Sequence, residues 1–276
     1  MKLYLTLFLF ISSLLFSKEN SLYVCTIFHN EARFLDEWVS FHLQQGVDRI
    51  YMYNNNSDDD YMKSLKKYIR GGKVILFQWN KPHGTVEEWN KVQCAAYMDC
   101  IEKIKDQCEW CAFIDTDEFL FNPEGISLKN ILKKFKHYDA VGVNWVMYGS
   151  SYLKRIPDGA KMIDYLKMRA PMDIYYNRFY KSIVRPAKVS GCTHIHYFTM
   201  LPGSKCVNEK KMPIEGWYSD VSVDLLRINH YWTRDLDFLY EEKLKRQNKW
   251  YKTEDLRDRD RELNVVYDPI LSNIRD

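Results

Sequence analysis

The chain has 276 residues, of which 46% are hydrophobic and 15% aromatic. That is enough apolar matter for a sizeable core, and it excludes a disordered chain. The formal net charge is only +3, and no basic stripe of the kind a nucleic-acid binder needs is present.

The first element in the chain stands apart. Lys2 precedes an apolar run from Leu3 to Phe16, broken only by Thr6, Ser12 and Ser13. Its length fits a signal-peptide core and is short for a full membrane span. Leu15 occupies the place where a small residue is wanted before Ser17, so an uncleaved signal-anchor is equally open. Residues 1–17 are therefore expected to attach the protein to a membrane or to export it into a lumen, with the side of the membrane undetermined. One domain is expected over residues 21–276.

From residue 22 the pattern alternates. Residues 22–28 form an apolar strand. Residues 31–44 carry Phe34, Leu35, Trp38, Val39, Phe41 and His42 at helical spacing, and Gly46 stops that helix. Residues 49–53 are a second strand that ends in the polar turn Asn54-Asn55-Asn56-Ser57-Asp58-Asp59. A helix over 61–69 starts from those capping residues and breaks at Gly71-Gly72. Residues 74–79 are a third strand, 87–105 a helix and 110–114 a fourth strand. Such alternation predicts an α/β fold with a mixed, mostly parallel sheet covered by helices on both faces. Beyond residue 121 the pattern loosens. A short helix is predicted at 128–135, a strand at 140–147, and strands at 175–184, near 192–198 and at 226–232. A helix at 235–245 carries Leu236, Leu239, Tyr240, Lys243 and Leu244 on one face. The charged stretch 254–262 reads as a solvated helix. The expectation is a nucleotide- and metal-binding half over 21–121 and an acceptor-facing half over 122–276.

The seven cysteines include Cys108-x-x-Cys111, but no second pair exists to complete a zinc site, and Cys111 opens a buried strand. In an exported domain Cys192 and Cys206 are open to pairing.

The decisive stretch is Phe113-Ile114-Asp115-Thr116-Asp117-Glu118-Phe119. Two carboxylates at i and i+2 project to the same side of an extended segment. Charge flanked on both sides by apolar residues costs free energy unless a cation or hydrogen bonds compensate it. Hard anionic oxygens suit Mg²⁺ or Mn²⁺, and a divalent cation suits a diphosphate. Open α/β sheets bind ligands at the carboxyl ends of their strands, where this motif lies. The plainer alternative is a strand-end turn with Asp as a cap.

Several segments together resemble glycosyltransferase family 92, whose members have the GT-A (Rossmann-like) fold. They are His29-Asn30-Glu31 through Asp36-Glu37-Trp38, Gly46-Val47-Asp48, Tyr53-Asn54-Asn55-Asn56-Ser57, Gln93-Cys94-Ala95-Ala96-Tyr97-Met98-Asp99-Cys100 and Phe113 to Phe119. Tyr148-Gly149-Ser150-Ser151, Lys181-Ser182-Ile183-Val184-Arg185-Pro186 and Asn229-His230-Tyr231-Trp232-Thr233 continue the match in the same order. His29 stands where the family usually has Lys, and Asn54 where it usually has Asp. The resemblance implies transfer of a sugar, typically galactose from UDP-galactose, to a glycan acceptor with inversion, assisted by Mn²⁺.

That reading assigns roles. Asp115 and Asp117 are the metal candidates, with His230 as a third ligand, since GT-A enzymes often close the metal shell with a C-terminal His. Asn30, Glu31, Asn54, Asn55 and Asp59 sit just past the first two strands, where amides and a carboxylate suit uracil and ribose; ordinary turn chemistry is the alternative. Arg33 suits a phosphate or is a solvated charge. The Gln93 segment belongs to the resemblance and joins the donor-binding set. Lys181 and Arg185 alternate along a strand and suit the departing phosphates. Inverting transfer needs a base, and Asp164 is its candidate, ahead of Asp158 and Asp173. Two other functions compete: a nucleotidyl- or phosphotransferase on the same carboxylates, and an inactive glycan-binding relative. No Gly-rich phosphate loop ending in Lys-Ser/Thr supports the common phosphotransferases.

Overall fold

The computed structural model describes residues 18–245 and 256–274. The apolar run before Ser17 lies outside the described residues. Among those described, no helix is long and apolar enough to cross a membrane.

Chain order begins β1 (Leu22–Phe28), α1 (Ala32–Gln44), β2 (Arg49–Asn54), α2 (Tyr61–Arg70), β3 (Val74–Gln78), α3 (Val86–Ile104), β4 (Trp110–Phe113) and β5 (Glu118–Phe121). It continues through α4 (Leu128–Leu132), β6 (Ala140–Met147), α5 (Met162–Tyr165), β7 (Met168–Arg169), β8 (Tyr180–Val184), β9 (Val189–His194), β10 (Tyr197–Met200), β11 (Cys206–Asn208) and β12 (Arg227–His230). A helical turn Leu236–Phe238 then widens into a π-helical turn Leu239–Lys243. A helix Leu256–Leu263, β13 (Val266–Tyr267) and a short helix Ile270–Asn273 follow.

The main sheet runs β3-β2-β1-β4-β8-β6-β12-β5, with β11 also on β6. The β1–β2, β2–β3, β1–β4, β6–β11 and β6–β12 pairs are parallel. The sheet is thus mixed and mostly parallel, with helices on both faces, as expected from the alternation. Every residue of β1 is buried, because its two faces meet different cores. Leu22, Val24 and Phe28 pack with Phe34, Leu35, Trp38 and Val39 of α1. Tyr23, Cys25 and Ile27 pack with Ala96, Tyr97 and Cys100 of α3. Period-two alternation therefore puts apolar side chains on both sides, and the strand reads as one continuous apolar run. Gly46 closes α1 with φ +96°, a conformation open to glycine at little cost. At the other end of a helix, Thr85 and Glu88 form a reciprocal capping box that starts α3.

The order β3-β2-β1-β4 places α1 and α2 on one side of the connection and α3 on the other. The chain reverses its winding between β1 and β4, and a crevice opens at their carboxyl ends. Asp115 to Asp117 leave β4 at that point.

Several predicted elements are corrected. The strand expected over 175–184 begins only at Tyr180, because Tyr175–Arg178 winds as a 3₁₀ turn. Asn177 fixes that turn: its amide donates to the carbonyls of Pro171 and Met172 at 3.1 Å each. The segment near 192–198 is a hairpin of β9 and β10. The charged C-terminal helix is not purely solvated. Leu256, Asp260 and Leu263 are buried, and Asp260 accepts from the Ser150 N–H at 2.8 Å and its hydroxyl at 2.7 Å. All seven cysteines are free, and Cys192 lies against Cys94 of α3 rather than pairing with Cys206.

Candidate active site

The Asp115-Thr116-Asp117 segment is not extended. It is a turn that links β4 to β5, closed by the Glu118 N–H donating to the Asp115 carbonyl at 3.1 Å. Glu118 returns the constraint, its Oε2 accepting from the Asp115 N–H at 2.8 Å. The reason is topological: β4 pairs with β1, whereas β5 pairs with β12 near the far edge, so the chain must change direction here. Helix α1 braces the turn from beneath. The Trp38 indole donates to the Glu118 carbonyl at 2.8 Å. The Leu120 N–H donates to His42 Nε2 at 3.2 Å, and His42 Nδ1 is bound to the Trp38 carbonyl at 2.8 Å. Burial pushes the His42 imidazole down to about 3, so it stays a neutral acceptor.

The turn separates the two carboxylates. Asp115 meets Lys181 of β8 at 3.0 Å and accepts from Gln93 of α3 at 2.8 Å. Asp117 meets the other side of the cleft. Its Oδ1 is 3.4 Å from His230 Nε2, and its Oδ2 is 2.7 Å from Lys243 Nζ. His230 arrives there because β12 pairs with β5 in the register His230 opposite Glu118. The expectation that Asp115 and Asp117 point to one spot is corrected: Gln93 and Lys181 engage one, His230 and Lys243 the other.

Charge compensation is built in. Burial alone would raise the Asp117 carboxyl, but the Lys243 ammonium and His230 hold it well below the usual carboxylate range. Burial would lower the Lys181 ammonium, but Asp115 and Glu118 outweigh it and hold it above its ordinary value. Glu118, fully buried between these charges, is pushed well upward by burial. Burial likewise keeps the His230 imidazole below its ordinary value despite Asp117, favouring the neutral form that can ligate a cation.

The residues fit a divalent cation in a restricted way. Asp117 and His230 stand at the spacing that two ligands of one ion take, each about 2.1 Å from it. Among the described residues no group of three His, Cys, Asp or Glu side chains forms a ready-made cage.

The remaining sequence candidates divide. Asn30, Asn54 and Asp59 are largely consumed by local bonds. Asn30 Oδ1 accepts from the Asp58 N–H, Asn54 bonds Gln78 and the Ser57 N–H, and Asp59 caps α1 by accepting from the Ala32 N–H at 2.7 Å. Asn55 donates to the Trp79 and Lys81 carbonyls. Asn55 Oδ1 and Asp59 Oδ1 are buried acceptors with no hydrogen-bond partner among the described residues. Glu31 and Arg33 are tied to the loop after β12, through Arg234 at 2.5 Å and Asp235 at 2.6 Å. Arg185 is not at the site. It pairs with Glu109 at 2.8 Å and covers Trp110, at the opposite end of β4 from Asp115. Four residues of extended chain separate it from Lys181, so the two cannot serve one diphosphate. Asp164 is exposed on α5, whose first N–H groups are held by Glu37 of α1 and whose Ile163 carbonyl accepts from Ser272. It is not part of the carboxylate–lysine cluster. Asp158 is exposed and paired with Arg155, and Asp173 is exposed. Sequence reasoning missed Lys243 as an active-site group. The available signal was a lysine on the apolar face of a helix.

A profile of glycosyltransferase family 92 matches residues 20–262. The chain belongs to glycosyltransferase family 92. A family 92 protein of Ricinus communis is 30% identical over 78% of this chain and 36% of its own length. One of Oryza sativa subsp. japonica is 31% identical over 78% of this chain and 33% of its own length. The family 92 chain thus spans about a third of these relatives. A beta-1,4-galactosyltransferase of Caenorhabditis elegans is 29% identical over 36% of this chain and 24% of its own length. Among solved structures, S. aureus TarS in complex with UDP-GlcNAc aligns at TM-score 0.39 and 14% identity, covering 60% of this family 92 chain and 46% of TarS.

Proposed function

We propose that this chain transfers a sugar, galactose favoured, from a UDP-sugar to a glycan acceptor with inversion at the anomeric carbon, in a site that uses Mn²⁺ or Mg²⁺. The observation that carries the reading is Asp117 facing His230 at 3.4 Å at the winding reversal of the sheet. Family membership and the name of the C. elegans relative support sugar transfer and galactose. Asp117 and His230 hold the cation, which when bound stabilises the negative charge of the departing diphosphate. Lys243, beside Asp117, receives phosphate oxygens, while buried Lys181 fixes Asp115 on the other side of the turn. Asn55 Oδ1 and Asp59 Oδ1 offer acceptors to the uracil N–H and to ribose hydroxyls. Asp164 is the candidate base that takes the acceptor's hydroxyl proton.

The test is to incubate the protein with UDP-galactose, UDP-glucose or UDP-GlcNAc, Mn²⁺ and a panel of glycans. The expected products are UDP and a glycan with inverted anomeric configuration, and EDTA stops their formation. Pyrophosphate release would move the site to nucleotidyl transfer. Activity unchanged by EDTA would remove the metal from the reading. We further propose that residues 1–17 tether or export the domain. Membrane fractionation of the chain with and without them tests this, and identical partitioning counts against it.

A further inference from the structure

A second feature begins at His230 and runs away from the nucleotide edge. The Trp145 ring of β6 lies 4.4 Å from the His230 ring. His196 lies 4.9 Å from Trp145, and His194 lies 5.2 Å from His196. Trp217 then stacks on His194 at 5.2 Å with 20° between the planes, and Tyr218 follows at 5.9 Å. A side branch runs from His196 through Phe179 to Tyr175. The inner rings are covered, but the outer ones are not: Trp217 is 41% exposed, Tyr218 43% and Tyr175 55%. A cluster of large rings left in water marks a surface that something covers in use.

Two polar observations mark what covers them. Among the described residues the Trp145 indole N–H is buried and has no hydrogen-bond partner, although it sits one ring from His230. A buried N–H without a partner is rare and expensive, and a small movement of the ring toward a hydroxyl at the cleft would satisfy it. At the outer end Arg178 lies over the Tyr218 ring and pairs with Asp220 at 3.5 Å, placing a donor and an acceptor at the rim. Ring faces flanked by sparse polar groups match a pyranose. Its C–H bonds carry partial positive charge and settle on the negative face of an aromatic ring, while its hydroxyls take the hydrogen bonds at the edge.

We propose that the exposed outer end of this line, Trp217, Tyr218 and Tyr175, is the acceptor subsite, backed by the covered rings that join it to His230, and that it takes an oligosaccharide of more than one sugar ring. This rests on the sugar-transfer reading above. The occupant is the acceptor rather than the donor because the line starts at Trp145 of β6, which lies beyond β4 and Asp115 from β1 and β2 in the sheet order. The covered rings join this exposed patch to His230, several rings away, so a chain of several sugars held on the patch can direct one end toward the cleft.

The test separates binding from transfer. Galactobiose, galactotriose and N-acetyllactosamine are titrated into wild type, Trp217→Ala, Tyr218→Ala and Trp217→Phe by saturation-transfer NMR and calorimetry, with UDP plus Mn²⁺ titrated in parallel. Both alanine variants alter exposed side chains, and an unchanged melting temperature verifies their fold. The expected result is at least a tenfold loss of glycan affinity in Trp217→Ala, a smaller loss in Tyr218→Ala and recovery in Trp217→Phe, with UDP affinity within about twofold of wild type. Glycan affinity unchanged in Trp217→Ala overturns the proposal, as does wild type binding none of the three sugars. Loss of glycan binding in the variants of a protein that turns over no UDP-sugar upholds the subsite while the transfer reading fails.

Discussion

At the carboxyl ends of β1 and β2, the polar side chains mostly satisfy one another. Asn30, Asn54, Ser57 and Asp59 close a lattice of turn and capping bonds. At the carboxyl end of β4 the arrangement is different. Buried carboxylates and ammoniums are packed together, and among the described residues Glu118 Oε1, His230 Nδ1 and the Trp145 indole N–H make no hydrogen bond, although Glu118 Oε1 lies 4.0 Å from both Lys181 Nζ and His230 Nδ1. The first region spends its polarity on its own shape. The second keeps net compensation of charge but leaves directional bonding unmet, which is how a protein holds a site ready for a ligand. Two residues of the first region, Asn55 and Asp59, share the second's character through one oxygen each.

The comparison can be broken first at Lys181. If the reaction end is held together by charge compensation, Lys181→Met removes the ammonium facing half-buried Asp115 and buried Glu118 and costs about 3–5 kcal/mol of stability. Urea melts check this, and a loss under about 1 kcal/mol would show that the carboxylates do not depend on it. Next in size is Asp117→Asn, which keeps the shape and removes the charge facing His230 and Lys243. Sugar transfer should fall about 10³-fold with the fold intact, on the scale of losing a key electrostatic group. Wild-type turnover in this variant would reassign the site. Asp164→Asn should leave UDP and Mn²⁺ affinity near normal while kcat falls about 10²-fold, with Asp158→Asn and Asp173→Asn doing much less. Because Asp164 is exposed on α5, an unchanged kcat there would move the base to another acidic group. The smallest of these effects belongs to the self-satisfied end. Asn54→Ala strands the Ser57 N–H and the Gln78 side chain, and should cost about 1–3 kcal/mol in stability while changing the UDP-sugar KM little. A large KM effect with no stability loss would make Asn54 a ligand contact and erase the contrast.

The first half was legible because its physics is local. Apolar runs such as Leu22 to Phe28 can only be strands buried on both faces, and Gly46 and Gly71 punctuate them. The Asp-Thr-Asp turn was found by its chemistry, but its bend was not, since β5 is four residues long and is defined by its partner β12 more than a hundred residues away. His230 was singled out from the resemblance, without any knowledge of that pairing, and lies 3.4 Å from Asp117. Arg185 was misplaced because alternation in a strand reports which face a side chain shares, not how far along the strand it lies. Lys243 was seen on an apolar helix face, and the conclusion not drawn was that a buried ammonium requires a buried anion. The aromatic line is invisible in sequence because its rings come from four separate segments.

The bond from Leu120 to His42 has a kinetic signature. Most backbone amides in a sheet end on a carbonyl, which does not titrate; this one ends on an imidazole. In the folded protein His42 takes up a proton only near pH 3, whereas in the unfolded chain it does so at its ordinary value of 6.5. Its contribution is therefore complete above pH 6.5 and is lost as the pH falls toward 3, at up to about 1.4 kcal/mol per pH unit. If β5 opens only by global unfolding, the exchange protection of the Leu120 amide should shrink about tenfold per pH unit on account of this proton. Buried His196, also held low by burial, adds to the same slope. Hydrogen exchange followed by NMR from pH 6.5 to 4 reads it directly, and His42→Gln should lower the slope by one proton. A slope unchanged by that substitution would mean that the strand bearing Glu118 can detach from α1 on its own.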